Sequence, residues 1–412
     1  MLVDTIFTFS APNLIKFGRG AINEIGYEVK RLGGSKPLIV TDKGVKNAGI
    51  LDKVKGVLED AGLEVNVWDQ VEPEPSLENY KQCYEFAQGR GFDIVIGIGG
   101  GSSIDVGKTV RMLLKHGGEI LDYMAKPIGG GRKFPGPGLP YIAVPTTAGT
   151  GSESTPAAVI RLPEEKLRVG IRSTFMRPEV ALVDPMLTVT LPPGPTASTG
   201  IDALSHAIEV YTCRKYNCRE KPATPEERPI YIGSSPMTDA LSYYAIELIG
   251  RYLMSAVNNG YDLEAREGMS LASLMQGIAV SNAGVALAHA IASPLGGIVE
   301  APHGKTVSAV LPYVMAYNEP VVPEKFACIA KLLENYSETQ FSQRGKAAKI
   351  VLNLIKDLGL PSSLAELGIK EDQLPYLAEA TIKSHEFLLN NPRRVTINDL
   401  NDILKKAYHG QI

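Results

Sequence analysis

The sequence predicts an α/β domain built on a parallel sheet, followed by an all-helical domain. Three observations indicate this fold class: strand-like and helix-like patterns alternate along the first half, consecutive prolines stand at Pro192 and Pro193, and long apolar stripes at helical spacing fill the second half. Strands separated by helices of about ten to fifteen residues are typical of a parallel sheet with helices on both faces. We therefore predict one domain over residues 1–190 and another over residues 191–412.

The predicted strands of the first half are short apolar runs. The clearest runs from Phe92 to Ile98 and is apolar throughout after Asp93, as expected of a strand buried on both faces. A helix is predicted over residues 21–32, and Ser76 can cap another that extends to residue 88. Strands are predicted over residues 37–41, 63–68, 92–98, 141–144 and 180–183.

In the second half, apolar residues recur at helical spacing and little of the sequence resembles a strand. A charged, proline-rich stretch at residues 215–229 interrupts this pattern and is predicted to be an excursion loop. Helices are predicted over residues 236–257, 263–292, 345–358 and 397–408.

Length and charge limit the kinds of function that we consider. A chain of 412 residues is too long for one ordinary core. Its 42 basic and 45 acidic residues are mixed along the chain, so no basic face for nucleic acid and no polybasic membrane segment is expected. The amino-terminal residues lack the basic start and apolar run of a secretory signal, and we expect a cytoplasmic protein without a membrane span. Cys213 and Cys218 can pair or bind metal, but two reduced thiols are the favoured interpretation.

A glycine-rich turn follows the predicted strand at residues 92–98 and opens a helix. Its sequence, Gly97-Ile-Gly-Gly-Gly-Ser-Ser-Ile-Asp-Val-Gly-Lys108, lets backbone approach a phosphate, and the helix start offers unpaired N–H groups. The spacing matches neither the G-x-G-x-x-G fingerprint nor the P-loop. Tight packing of a turn without a ligand is the alternative interpretation.

A second polar loop, Pro145-Thr-Thr-Ala-Gly-Thr-Gly-Ser-Glu153, follows the strand at residues 141–144. Its hydroxyls and glycines suit a diphosphate or a ribose, although an ordinary polar turn has the same composition. Two such loops at the carboxyl ends of parallel strands fit the crevice where doubly wound sheets bind ligands. Asp42 ends another strand, where a carboxylate can bind a ribose and repel a 2′-phosphate, favouring NAD over NADP, or can simply cap a helix.

Three of the six histidines lie among small and apolar residues, where an unpaired imidazole is costly. Asp202 and His206 are four residues apart and share a helix face. His289 lies in an apolar helix and His303 in a loop that leads into the next helix. One aspartate and three histidines form a ligand set suited to Fe²⁺ or Zn²⁺. A single histidine is more often a satisfied core or surface residue than a metal ligand, and it is the combination of the four residues that favours a metal site.

These motifs resemble those of the iron-containing (group III) alcohol dehydrogenases over essentially the full length of the chain. Residues 99–108, 145–153, 200–209 and 289–304 match in order and spacing. The resemblance implies a dinucleotide-binding amino-terminal domain, a helical metal-binding domain and a homodimer. The expected cofactors remain NAD rather than NADP, from the charge of Asp42, and Fe²⁺ or Zn²⁺, from the ligand set. The resemblance implies that the metal ligands, which are also the catalytic residues, are Asp202, His206, His289 and His303. It implies cofactor contacts from Asp42, Gly100, Gly101, Ser102, Asp105, Thr146, Thr147, Thr150, Val159 and Arg168.

Three positions depart from the family pattern. Arg168 stands where relatives usually carry a lysine, and Glu74 where an asparagine is common. Ser293 replaces the histidine that many relatives place four residues after the third ligand. The usual histidine step in proton release is therefore absent or supplied by other groups, with Ser293 as a candidate.

The resemblance implies an oxidoreductase that transfers a hydride between nicotinamide and a small alcohol or aldehyde, the metal acting as a Lewis acid. Residues 215–239 and the lack of the extra histidine are similar to the hydroxyacid-oxoacid transhydrogenase branch, which is the nearest alternative. A lyase similar to dehydroquinate synthase needs many basic residues for a phosphorylated substrate, whereas the ligand neighbourhoods here are small and apolar. A non-catalytic protein is disfavoured because all four ligand positions are filled.

Overall fold

The computed structural model describes residues 3–164, 167–334 and 345–412, which form two compact units. The sheet unit comprises the described residues of Ala11–Leu191 together with Gly260–Ser270. The helical unit comprises residues 3–10, Pro192–Asn259 and the described residues of Leu271–Ile412. The predicted boundary at residue 190 assigns residues 3–10 to the first domain and Gly260–Ser270 to the second. In the structure, residues 3–10 lie in the helical unit and Gly260–Ser270 lies in the sheet unit. Arg266 ties the latter segment to its unit by donating to the carbonyl oxygens of Gly260 and Leu191, both at 2.9 Å.

The sheet unit confirms the predicted parallel sheet. Its strands are β1 (Leu14–Phe17), β2 (Pro37–Val40), β3 (Asn66–Trp68), β4 (Ile94–Gly99), β5 (Tyr141–Pro145), β6 (Ala157–Leu162), β7 (Leu167–Arg172) and β8 (Val180–Val183). Six of them form a parallel sheet in the order β1-β8-β5-β4-β2-β3, and β6 and β7 form a separate antiparallel pair. Strand order reverses between β2 and β4, so the topological switch point lies at their carboxyl ends, where open α/β sheets bind ligands.

Side chains on alternate sides of the strands enter two different cores. Leu38 and Val40 of β2 lie in one hydrophobic cluster, while Ile39 between them lies in the other. This division covers both faces of the sheet, as expected for parallel strands. The helices of this unit are α1 (Ile25–Arg31), α2 (Lys43–Asn47), α3 (Ile50–Asp60), α4 (Leu77–Ala87), α5 (Gly101–His116) and α6 (Ile120–Tyr123).

The helical unit confirms the predicted helical second half. Its helices are α7 (Pro193–Thr212), α8 (Pro236–Asn258), α9 (Leu263–Ala283, which begins in the sheet unit), α10 (Leu287–Leu295), α11 (His303–Ser308), α12 (Leu311–Asn318), α13 (Pro323–Leu333), α14 (Lys346–Asp357), α15 (Leu374–Ile382), α16 (His385–Asn390) and α17 (Ile397–His409). The prediction of one helix over residues 263–292 is wrong. Gly284 adopts a left-handed φ of 80°, which ends α9 before α10 begins.

The predicted excursion loop contains two short 3₁₀ turns, Tyr216–Cys218 and Pro225–Glu227, and is anchored by ion pairing. Arg228 donates to Asp4 at 3.0 Å. All four cysteines are free thiols, with Cys213 buried and Cys218 exposed. Among the described helices, none is individually long and apolar enough to cross a bilayer, although the bent pair α9 and α10 satisfies that criterion when taken together.

Candidate metal centre and cofactor-binding loops

Helix α7 carries two of the four predicted metal ligands on one face. Asp202 and His206 are one turn apart, and the surrounding helix surface is buried among small and apolar residues. The third predicted ligand, His289, lies in the first turn of α10, and the fourth, His303, is the first residue of α11. All four residues belong to the helical unit.

The structure brings these four side chains together. One ligand atom each from Asp202, His206 and His289 lie within 4.8 Å of one another. Oδ1 of Asp202 is 3.8 Å from Nε2 of His289 and 3.7 Å from Nε2 of His303. The His289 ring centroid is 4.5 Å from that of His206 and 5.3 Å from that of His303. These separations are too long for hydrogen bonds but suit donors arranged around a shared cation.

Three buried polar atoms of this cluster have no hydrogen-bond partner in the protein: Oδ1 of Asp202, Nδ1 of His206 and Nε2 of His289. An unsatisfied polar atom in an apolar interior costs free energy, and buried polar groups are nearly always paired. A divalent ion would satisfy such atoms, and one carboxylate with three imidazoles is a donor set that Fe²⁺ and Zn²⁺ both accept. The residues present therefore fit the implied metal.

Burial and neighbouring charges set the pKa values of the cluster. Burial disfavours the Asp202 carboxylate, but the nearby His206 and His303 imidazoles outweigh it and hold the pKa of Asp202 below its ordinary value. Burial lowers the pKa of His206 to about 4. Burial also opposes charging of His289, yet the Glu209 and Asp202 carboxylates raise the pKa of His289 to about 9. Metal ligation requires neutral imidazole, so ion binding at this cluster should release protons.

Glu209 is a site residue that the sequence reasoning missed. Its carboxylate accepts a hydrogen bond from Nδ1 of His289 at 2.6 Å and is only 4% exposed. The signal was available, because Asp202, His206 and Glu209 follow each other at intervals of four and three residues and so share one helix face. An acidic residue at that position in an apolar helix needs a partner.

In the sheet unit, the two predicted cofactor loops lie side by side after β4 and β5. The amide of Thr146 donates to the carbonyl oxygen of Gly99 at 2.9 Å. A Cβ atom at Gly101 would lie 2.9 Å from Cγ2 of Thr150, and one at Gly100 would lie 3.5 Å from Cγ2 of Thr147. Gly101 therefore allows the start of α5 to pack against the second loop, whereas a Cβ atom at Gly100 would make only an ordinary contact. Gly99 has a φ of 147°, which glycine readily adopts, where the chain turns from strand to helix. Ser102 accepts a hydrogen bond from the amide of Glu74 at 3.2 Å.

Asp42 lies at the switch point, directly after β2. Its Oδ1 caps α2 by accepting from the amide of Val45 at 3.0 Å, as the alternative interpretation expected. Its Oδ2 accepts from Oγ of Ser103 at 2.9 Å, which joins the residue to the start of α5. A carboxylate held at this position remains compatible with ribose binding, because one oxygen can accept more than one hydrogen bond.

The structure places Asp105 in a buried polar network. Its Oδ1 contacts Nζ of Lys108 at 2.9 Å and also Oγ of Ser152, and its Oδ2 accepts from the amide of Val159 at 2.9 Å. Nζ of Lys108 further donates to Oγ of Ser152, Oγ1 of Thr155 and the carbonyl oxygen of Ala157, all within 2.9 Å. Burial lowers the pKa of Lys108. The network joins α5, the second loop and β6, so Asp105 organises the loops even if it touches no cofactor.

Replacing Lys108 with methionine is expected to destabilise the protein by about 3–5 kcal/mol, the usual consequence of removing one partner of a buried ion pair. Lys108 is fully buried, so the Asp105 carboxylate would lose its cationic partner without gaining water. Urea unfolding measures the effect. Lys115→Met, on the exposed face of the same helix, is the matched control, and its urea-unfolding midpoint should be close to that of the wild type. Equal midpoints for the two variants would contradict a stabilising role for the network.

Two of the three residues that depart from the family pattern, Glu74 and Arg168, contact each other. The carboxylate of Glu74 forms an ion pair with Arg168 on β7. Glu74 has a φ of 51°, a left-handed conformation in which asparagine is more favourable than glutamate. Its carbonyl oxygen also accepts from Nε of Arg161 at 3.1 Å. Glu74 thus links the antiparallel strands β6 and β7 to the start of α5. Val159, on β6, is half exposed.

Two models of one protein family match the chain, one in each half. Residues 12–185 match the model of the family described as iron-containing alcohol dehydrogenase, and residues 227–408 match that of its carboxy-terminal domain. The chain belongs to the iron-containing alcohol dehydrogenase family.

Members of this family that the chain resembles have different named activities. The NAD-dependent methanol dehydrogenase of Bacillus methanolicus is 36% identical, with 97% of this chain and 99% of that protein covered. The mitochondrial hydroxyacid-oxoacid transhydrogenase of Bos taurus is 32% identical, with coverage of 96% and 89%. The crystal structure of a 1,3-propanediol oxidoreductase matches with a TM-score of 0.87 at 36% identity, covering 98% of this chain and 100% of that one. The predicted family and fold class are therefore confirmed.

Proposed function

We propose that this protein is a metal- and NAD-dependent oxidoreductase that transfers a hydride between the nicotinamide and a small alcohol or aldehyde. The observation that carries the proposal is the cluster of Asp202, His206, His289 and His303. Buried atoms of three of these residues, Asp202, His206 and His289, lack hydrogen-bond partners in the protein. The names of the relatives support the alcohol and aldehyde class, and the cofactor of the methanol dehydrogenase supports NAD.

Each part of the chain has a defined task in this reaction. The four clustered side chains would hold an iron or zinc ion, which would supply Lewis-acid stabilisation of negative charge on the substrate oxygen. The helix start at Gly100–Ser102 offers backbone N–H groups to the cofactor diphosphate, and the threonines of the second loop add hydroxyl groups. Asp42 disfavours a 2′-phosphate by charge repulsion, which supports NAD over NADP. The nicotinamide ring of the bound cofactor would donate or accept the hydride.

Transhydrogenation between a hydroxyacid and an oxoacid is the second candidate. Two observations favour it: the Bos taurus relative carries that name at 32% identity, and Ser293 stands in α10 where many relatives have a histidine. A transhydrogenase retains its nicotinamide through the catalytic cycle. It therefore interconverts a hydroxyacid and oxoacid pair without added NAD.

One assay tests the function and separates the candidates. Protein reconstituted separately with Fe²⁺ and with Zn²⁺ is given NADH and a panel of small aldehydes and oxoacids, and NADH oxidation is followed by absorbance. We expect aldehyde-dependent oxidation with at least one ion and none after chelation, together with a strong preference for NADH over NADPH. Turnover of a hydroxyacid and oxoacid pair by dialysed protein without added nucleotide would favour the second candidate. Failure of both reactions with either ion would refute the proposal.

A further inference from the structure

A buried carboxylate outside the four-residue cluster contacts one of its members. Glu209 lies on α7, seven residues beyond Asp202, and receives three hydrogen bonds from α10 and the residues before it. Its Oε2 accepts from the amide of Ala286 at 2.9 Å and from Nδ1 of His289 at 2.6 Å, and its Oε1 accepts from the amide of Ala288 at 2.6 Å. Every donor is buried, so water does not compete for these bonds.

The contact determines which nitrogen of His289 can face the cluster. An ionised carboxylate only accepts hydrogen bonds, so Nδ1 of His289 must carry the proton that it donates. Nε2 is the other ring nitrogen, and it is the atom 3.8 Å from Oδ1 of Asp202. The orientation of the ring and the proton on Nδ1 together leave Nε2 available as a ligand atom.

The same carboxylate fixes the backbone that presents His289. Between α9 and α10 the chain turns at Gly284, and the residue before α10, Ala286, has no side chain able to cap the helix. The first amides of a helix lack intrahelical partners. Glu209 accepts from two amides at this end, those of Ala286 and Ala288, and its negative charge is favourable there. One side chain from α7 therefore joins the helix that bears Asp202 and His206 to the helix that bears His289.

We propose that Glu209 is a positioning residue of the metal centre, which holds His289 in the Nδ1-protonated form and in register with the ligands on α7. The role rests on the proposed metal site. It concerns affinity for the ion, and turnover depends on it only through that affinity.

Glu209→Gln is the decisive variant because it preserves shape but not acceptor capacity. An amide has one acceptor oxygen, so one of its two ends must present N–H groups either to Ala288 or to the pair of Ala286 and His289. We expect the affinity for Zn²⁺ and Co²⁺ to fall by roughly 10–100-fold, the usual effect of losing such a partner of a metal-binding histidine. Competition with a chromogenic chelator measures the affinity, and the visible spectrum of the Co²⁺ form reports the geometry around the ion.

Glu324→Gln, an exposed glutamate at the start of α13, controls for the loss of one negative charge and should bind both ions as the wild type does. Wild-type affinity and an unchanged Co²⁺ spectrum in a folded Glu209→Gln variant would overturn the role of Glu209. Failure of the wild-type protein to bind either ion would instead overturn the metal site itself.

A measurement on the wild-type chain keeps the inference testable if the variant does not fold. The ¹⁵N shifts of selectively labelled histidines in the Zn²⁺ form distinguish the two ring nitrogens. His289 should show a protonated Nδ1 and a metal-bound Nε2. The opposite tautomer would refute the proposal.

Discussion

Replacing His289 with alanine is expected to eliminate tightly bound divalent ion and to lower aldehyde reduction by ~10³-fold or more, equivalent to several kcal/mol of lost transition-state stabilisation. His289 contributes one of four candidate ligands, and its loss also leaves the Glu209 carboxylate without its imidazole partner. Elemental analysis of the purified protein and NADH oxidation after reconstitution measure the two effects.

The control for this variant is His409→Ala, which changes an exposed histidine at the end of α17. It should retain metal content and turnover. Binding of NAD by His289→Ala, followed by quenching of protein fluorescence, should stay close to that of the wild type, because the predicted cofactor residues belong to the other unit. Undiminished activity of His289→Ala would show that the metal centre is wrongly assigned.

Gly304→Ala is expected to impair the site almost as severely without touching a ligand. A Cβ atom at residue 304 would lie 2.0 Å from the carbonyl oxygen of Ser198, a backbone atom of α7 that cannot turn aside. The clash should push α11 from α7 and carry the adjacent His303 away from Asp202. Such overpacking usually costs about 1–3 kcal/mol, and more where backbone must move. The thermal unfolding temperature of the metal-free protein and the affinity of the protein for Zn²⁺ should both decrease.

Gly194→Ala provides the matched comparison for that change. Gly194 also lies in a helix of the helical unit, but a Cβ atom there would meet nothing within 4 Å. Alanine is the better helix former, so this variant should be as stable as the wild type or slightly more stable. If Gly304→Ala behaved in the same way, the tight contact between α7 and α11 would not position His303.

The fold was predictable where the sequence carries a strong pattern. Strands β2, β4, β5 and β8 are buried on both faces, and that burial requires the apolar runs that identified them. Strand β1 is only partly buried at the edge of the sheet, and β6 and β7 carry polar residues among their buried ones. Lys16 in β1 and Arg168 in β7 interrupt the apolar pattern of those two strands. Strand β6 does contain the apolar run Ala157–Ile160, which the sequence reasoning missed.

In the candidate site, too, some residues could be predicted from the local sequence, whereas others are recognised only from their contacts in the structure. Residue type and spacing were enough to single out Asp202, His206, His289 and His303, because imidazoles in apolar helices are unusual. The contacts of Asp105 with Lys108 and Ser152 depend on residues up to 47 positions apart, which no local pattern reveals. The assignments of the individual cofactor residues stay predictions.

The placement of Gly260–Ser270 in the sheet unit has a practical consequence for dissecting this enzyme. The chain leaves that unit after Leu191 and returns to it 69 residues later in the sequence. A fragment ending at Leu191 would lack Arg266 and leave the Leu191 carbonyl oxygen without the guanidinium that binds it. A single cut in the chain therefore cannot separate the two units, and expression of the sheet unit alone requires Gly260–Ser270 to be joined to its end.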